Sequence, residues 1–328
     1  MPLSSNSIYG VEPLTKAINK IPAVPTTIRS KGIFKPEFLT TTTVKVEEKE
    51  GILSLVQSRA RGVPGEPVSE SRKPPKSFET IHLVKNDIVY ADEVQNVRAF
   101  GKTTAETVQE RVLGKAAAMK NDIELTREHL MLGALKGKIL DADGTEIYDI
   151  YREFGLTRAE HNWQLSNDKT NVSTLADKLH LDFAKKARGE TIGSLITFVS
   201  PEFMETLINH KSVYEVYLRL KEAQQQREGD THIHFWHKNI DFIVYADDFA
   251  SGLKIGADEA IVLPSQSRNA FKEFFAPADM SSTVNSVALP YYLTREPLKH
   301  DTGWDLRAQS NPLPLVLRPD LVQTIKLV

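Results

Sequence analysis

The strongest chemical suggestion in the chain is Tyr245-Ala246-Asp247-Asp248, which follows the apolar run Phe242-Ile243-Val244. Paired aspartates directly after a strand match the two-metal motif of reverse-transcriptase palms, where carboxylates hold Mg²⁺ for phosphoryl transfer. Asp182 in Leu181-Asp182-Phe183 and the dipeptide Ser200-Pro201 lie upstream in a compatible order. Three features oppose a polymerase. The palm hairpin needs an apolar strand after the Asp pair, and Phe249-Ala250-Ser251-Gly252 is a poor one. Asp182 sits in a helical pattern, not at a strand end. No Lys/Arg-rich flank supplies an electrostatic groove for a template. A four-residue match of this kind is read as coincidence.

A second cluster is Thr231-His232-Ile233-His234-Phe235-Trp236-His237. His-x-His places two imidazoles on one face of a strand, as in metal-dependent amidohydrolases. Too little chain follows for an eightfold barrel, and His237 falls on the opposite face. Asp141-x-Asp143-Gly144 resembles the start of a calcium loop but lacks the later ligands and the closing Glu. The same residues read better as a hairpin with a two-residue Asp143-Gly144 turn. The sequence contains no Gly-rich phosphate loop, nucleophile elbow or His-Glu-x-x-His helix. The residues assign no catalytic group, no cofactor site and no metal site, and point away from an enzyme.

The totals narrow the classes further. With 328 residues the chain can build two lobes with real cores. An apolar content of 41% against 26% charged residues excludes wholesale disorder. A net charge of −2 argues against a protein that grips nucleic acid through a basic face. The absence of cysteine removes disulfides, thiolate metal sites and thiol nucleophiles. No apolar run approaches a membrane span, and MPLSSNSIYG lacks the regions of a signal peptide, so a cytosol-like compartment and no membrane partner are expected.

The elements around these decoys are organised by one long helix predicted over residues 103–136. Thr103 and Glu106 form a capping pair at its start. Val108, Val112, Ala116, Met119, Ile123, Leu130 and Ala134 recur on one face. At ~1.5 Å per residue it is about 50 Å long. Before it, residues 1–39 carry isolated apolar anchors with one helical patch near Pro13 to Lys20. Short strands then flank a polar, Pro/Gly-rich stretch between Gln57 and Phe78; the second of them is Glu79 to Val84. After it come helix candidates from Ser173 to Lys186 and from Pro201 to about Gln226, the latter broken near His210. Strands are expected at Ile192 to Val199, Thr231 to Trp236, Asp241 to Tyr245 and Glu259 to Leu263. The remainder returns to short strands and prolines.

This order resembles phage major capsid proteins of the Hong Kong 97 type, and sequence detail resembles the lambda-type major capsid protein E family within it. The residues that carry the likeness are Ile81-His-Leu-Val84, Ala91-Asp-Glu-Val94, Arg98-Ala-Phe-Gly101, Arg127-Glu128 and Ala134-Leu-Lys-Gly-Lys138. They continue with Phe275-Ala-Pro-Ala-Asp279, Thr283-Val-Asn285, Gln309-Ser-Asn-Pro-Leu313 and Arg318-Pro319. The likeness spans most of residues 10–328 and is weakest where both enzyme decoys lie.

The resemblance implies an α+β Hong Kong 97-type capsid fold. Its parts would be an N-terminal arm (1–45), an extended hairpin loop (46–85), a peripheral domain (86–169) with the spine helix, an axial α/β domain (170–279) and a return to the peripheral domain (280–328). It implies a structural protein whose copies form hexamers and pentamers of an icosahedral head around packaged double-stranded DNA. Scaffold and portal proteins, and a decoration protein, are the implied partners, with the virion capsid as location and the host cytoplasm as place of assembly. The family offers no catalytic residues to carry over, and no covalent crosslink pair is expected. The alternatives are the polymerase at Asp247 and Asp248, and a tail or connector component.

Overall fold

The longest element is the helix Val108–Lys136 of a computed structural model that describes residues 11–22, 26–46, 76–95, 107–187, 192–224, 234–246, 249 and 251–327. Thr103 and Glu106 lie outside the described residues. A second pair of the same chemistry opens the described helix. The Glu110 N–H donates to Thr107 Oγ1 at 3.2 Å, and the Glu110 carboxylate accepts the Thr107 N–H at 3.0 Å. Val112, Ala116, Met119, Ile123, Leu130 and Ala134 are all buried as the spacing predicts. Val108 is not: the first turn faces solvent and leaves it 38% exposed. Gly133 breaks helix propensity for a steric reason. A Cβ there would lie 2.8 Å from the Lys138 carbonyl oxygen, where the chain returns against the helix.

The chain gathers into two units. The first takes residues 1–44, 77–130 and 272–315. Its antiparallel sheet places Gly303–Ser310 between Tyr292–Pro297 and Leu83–Tyr90. The predicted strand from Glu79 to Val84 is divided. Lys76–Glu79 ends one strand and Leu83–Tyr90 begins another. Between them the Thr80 and Ile81 N–H groups donate to the Thr42 and Pro312 carbonyls. The short helix expected near Pro13 to Lys20 is present as Val11–Lys20. Its Leu14 and Ile18 join Val112, Ala116, Met119 and Ile123 of the long helix and Leu293, Leu306 and Ala308 of the sheet in one core. Burial of side chains this size contributes about 1.5–3 kcal/mol each. Thr15 Oγ1 also accepts the Leu293 N–H at 3.3 Å, so the helix meets backbone of the sheet's edge strand. A second sheet pairs Lys35–Phe38 in parallel with Phe271–Phe275, which neighbours Pro312–Val316.

The second unit takes residues 45–76, 131–271 and 316–328. Its six-stranded mixed sheet runs in the order Ala159–Asn162, Gln323–Lys326, Glu259–Pro264, Leu195–Val199, Ile240–Val244, His234–His237. Leu195–Val199 is buried at every position, as a strand covered on both faces must be. Helices Val172–Ala187, Pro201–Asn209 and Lys211–Gln224 belong to the same unit. Ser200 caps the second of these through the Phe203 N–H at 3.1 Å, with Pro201 at the first helical position. The break near His210 is real, for its ψ of 133° is extended.

The hairpin of Lys138–Leu140 and Glu146–Asp149 forms, but with a different turn from the two-residue one expected. The Gly144 N–H donates to the Asp141 carbonyl at 3.0 Å, which puts Ala142 and Asp143 at the turn's centre. Gly144 follows at φ 88°, the left-handed residue of a turn that ends in a bulge.

Candidate functional site

Among the described residues, none of the chemical clusters suggested by residue type becomes a site. Asp247, Asp248 and His232 lie outside the described residues. Tyr245 is buried edge-on to Phe198 at 6.2 Å. Asp182 is helical, and its carboxylate pairs with Lys186 at 2.8 Å. His234 lies 3.4 Å from Asp241, whereas His237 is buried beside Phe235 on the other face of their strand. Asp143 accepts the Thr145 N–H at 2.8 Å and Asp141 the Ala142 N–H at 2.7 Å, so the calcium-like residues shape their own turn. Among the described residues no group of three His, Cys, Asp or Glu side chains is placed to hold a metal ion, and no helix is long and apolar enough to cross a membrane.

The unusual chemistry is elsewhere, on the long helix of the first unit. Lys120, Glu124, Arg127 and Glu128 occupy one stripe of that helix, and all four are buried. Arg127 makes a two-pronged pair with Glu273: Nε to Oε1 at 2.8 Å and a terminal nitrogen to Oε2 at 2.6 Å. It reaches back to Glu124 at 3.2 Å, and the Tyr291 hydroxyl sits between the two, bonded to both. Arg29 closes the set on Glu124. Two arginines and two glutamates therefore join through Tyr291 in one network, with only Arg29 partly exposed. Burial disfavours the guanidinium charge of Arg127, but Glu273 outweighs it and raises the pKa above the ordinary arginine value. Burial, opposed by Arg127 and reinforced by Glu124, raises the Tyr291 phenol, so it stays a neutral donor.

Two members of the stripe hold backbone. Lys120 Nζ donates to the carbonyls of Ile18 and Ile21 at 2.9 and 2.7 Å, at the C-terminal end of helix Val11–Lys20. The Glu128 carboxylate accepts the N–H groups of Ile28 and Arg29 at 2.6 and 3.3 Å, at the start of the turn Thr27–Ser30. Each charge meets the end of opposite partial charge: a cation on orphan carbonyls, an anion on orphan amides. The result is a backbone anchor that adds to the side-chain contacts of Leu14, Ile18 and Arg29 in fixing the N-terminal segment to the long helix. Burial lowers the Lys120 pKa; Glu124 opposes that shift.

A second polar cluster adjoins a cleft of about 930 Å³ in the same unit. His82 Nδ1 and Asn311 Oδ1 are 2.8 Å apart, the Asn311 amide donates to the Pro277 carbonyl at 2.6 Å, and the buried Gln309 amide donates to Asn311 Oδ1 at 3.3 Å. Arg127, Glu128, His82, Phe275, Pro277, Gln309 and Asn311 all come from the segments that carry the resemblance noted in the sequence. Those separate segments meet in space.

The family model of the phage major capsid protein E matches residues 10–327. The chain belongs to that family. A major capsid protein of Pseudomonas phage KPP10 is 28% identical over 94% of this chain and 94% of its own length. The major capsid protein of Salmonella phage Felix O1 is 24% identical over 98% and 97%. Among solved structures, the putative capsid protein of a prophage in E. coli CFT073 superimposes with a TM-score of 0.60 at 13% identity, covering 97% of this chain and 99% of that one. The asymmetric unit of the bacteriophage PhiM1 mature capsid gives 0.51 at 10% identity, over 92% and 87%. The fold is thus the α+β Hong Kong 97-type capsid fold. The protein is a phage major capsid protein with a structural role.

The charge network was not among the expectations drawn from the sequence, which named Arg127 and Glu128 only as part of the family likeness and did not single out Lys120 or Glu124. The available signal was the placement of Arg127-Glu128 within the family likeness, together with the near-helical spacing of the four charges.

Proposed function

We propose that copies of this chain form the hexamers and pentamers of an icosahedral head that encloses double-stranded DNA, within the virion and after assembly in the host cytoplasm. In this reading residues 1–45 reach toward neighbours, residues 46–85 lie over the adjacent copy, residues 170–279 face the centre of each capsomer, and 86–169 with 280–328 carry the contacts between capsomers. Scaffold and portal proteins guide closure, and an added decoration protein is compatible with it. The observation that carries the proposal is the family match over almost the whole chain. The exposed Leu181, Tyr214, Leu218 and Trp236 of the second unit support it, because self-association gives such surface a reason. A net charge of −2 suits DNA held by confinement without strong contact.

Negative-stain imaging and light scattering of the full chain, alone and with scaffold, test this directly. Closed shells are expected. A species that stays monomeric at high concentration overturns the proposal, and rings or tubes would favour a tail or connector role. Deleting residues 57–77 is expected to leave a folded chain that no longer builds shells; normal assembly would refute the loop assignment.

A further inference from the structure

Two buried histidines of the second unit converge on one helix end. His210 is 5% exposed and His237 6%. Both reach the first turn of Val172–Ala187, which Asn171 caps through the Thr174 N–H at 3.1 Å.

The hydrogen bonds fix the form of His210. The Ser212 backbone N–H donates to its Nδ1 at 3.2 Å, so Nδ1 carries no proton. Nε2 is then the N–H and donates to the Asn167 carbonyl at 3.2 Å. The Ser212 hydroxyl lies 2.9 Å from the same Nδ1 and accepts the Val172 N–H at 3.4 Å. A chain of contacts thus runs from the His210 imidazole through Ser212 to the first helical residue. His237 reaches the next residue, with Nε2 3.1 Å from Ser173 Oγ. Its other face stacks on Phe235, at 5.8 Å between ring centroids.

The charged surroundings give little help to an imidazolium. Near His237, Lys238 opposes it and Asp177 favours it, but those two already pair with each other at 3.5 Å. His234 and Asp241 pair on the opposite face of the strand, and Tyr217 meets Phe235. Around His210 the neighbours in sequence are the exposed Lys211 and, in the loop of Asn167, the exposed Asp168 and Lys169. A helix N-terminus carries partial positive charge, which disfavours a cation placed against it. Burial first, and then Lys238, lowers the His237 pKa from the usual 6.5.

We propose that His237 forms an acid-sensitive latch on the N-terminal end of helix Val172–Ala187, beside the structural contact made through His210 and Ser212. The neutral His237 imidazole holds the first turn through Ser173 Oγ. A proton on His237 sets a charge against the helix end and frees the turn. For His237 the sign follows from the depressed folded-state value: its stabilisation is complete above about 6.5 and is lost as pH falls below that.

The test is amide hydrogen exchange by mass spectrometry on the full chain at pH 7.5 and 5.0, with rates corrected for intrinsic pH dependence. The expected result is at least a tenfold loss of protection in the first two turns of Val172–Ala187 at pH 5.0, with Leu195–Val199 unchanged. The variant His237→Gln is expected to lose the pH response. Exchange at the imidazole C2 position of the wild-type chain gives a reading that needs no variant, and should report a His237 midpoint below 6.5. Equal helix protection at both pH values, a His237 midpoint at or above 6.5, or a His237→Gln variant with the wild-type response would each overturn the latch.

Discussion

Both units have apolar cores, and the first adds to its core a buried ion network. In the first, the long helix buries Lys120, Glu124, Arg127 and Glu128 and meets Glu273, with the Arg127 and Glu273 side chains only 5% and 4% exposed. In the second, the central strand Leu195–Val199 and its neighbours bury Ile196, Phe198, Ile240, Phe242, Ile261 and Leu263. Apolar packing tolerates exchange of shapes at modest cost. A buried ion network adds little net stability over an apolar replacement, yet is expensive to leave half-made. The difference therefore teaches what each region must do. The apolar sheet supplies cohesion, while the network fixes one placement of the N-terminal segment on the helix.

Arg127→Met sharpens that contrast most. It keeps much of the volume but strands Glu273, and is expected to cost about 3–5 kcal/mol in urea unfolding. A loss below about 1 kcal/mol would remove the network from the account. Tyr291→Phe, which deletes the hydroxyl between Arg127 and Glu124, is expected to cost about 1–3 kcal/mol. The same tyrosine gives an alkaline signature. Its folded-state pKa is raised, so its contribution is complete below the unfolded value near 10 and is lost as pH rises past it. Absorbance titration at alkaline pH should show Tyr291 ionising after the exposed tyrosines, and Tyr291→Phe should shrink the late step that Tyr151 and Tyr292, also raised by burial, share.

On the apolar side, Ile261→Val removes one buried methylene and should cost about 0.5–1.5 kcal/mol, without change in salt or pH dependence. Val108→Ser, on the exposed first turn, should fall within about 0.5 kcal/mol of the parent. An effect above 1 kcal/mol there would mean the first turn is covered.

The same contrast explains what could be read from residues alone. Alternating or continuous apolar runs such as Leu195–Val199, and the recurrence of Val112, Ala116, Met119 and Ile123, report burial through their own chemistry. The cap at Ser200-Pro201 and the break at His210 were equally legible, because they depend on local backbone preferences. The division between Lys76–Glu79 and Leu83–Tyr90 was not, since carbonyls of Thr42 and Pro312, distant in sequence, decide where pairing stops. The anchor was hidden for the same reason. Lys120 and Glu128 look like surface charges until the helix end at Ile18 and Ile21 and the turn at Ile28 are brought to them.

An electron-microscopy reconstruction of the particle assembled from this chain, at side-chain resolution, bears most directly on its role as a shell-building subunit. A closed icosahedral shell is expected, in which hexamers and pentamers of this chain alone form the continuous wall, each copy with Arg127 seated on Glu273. An open tube, an isolated ring, or a wall built mainly from another protein would contradict it.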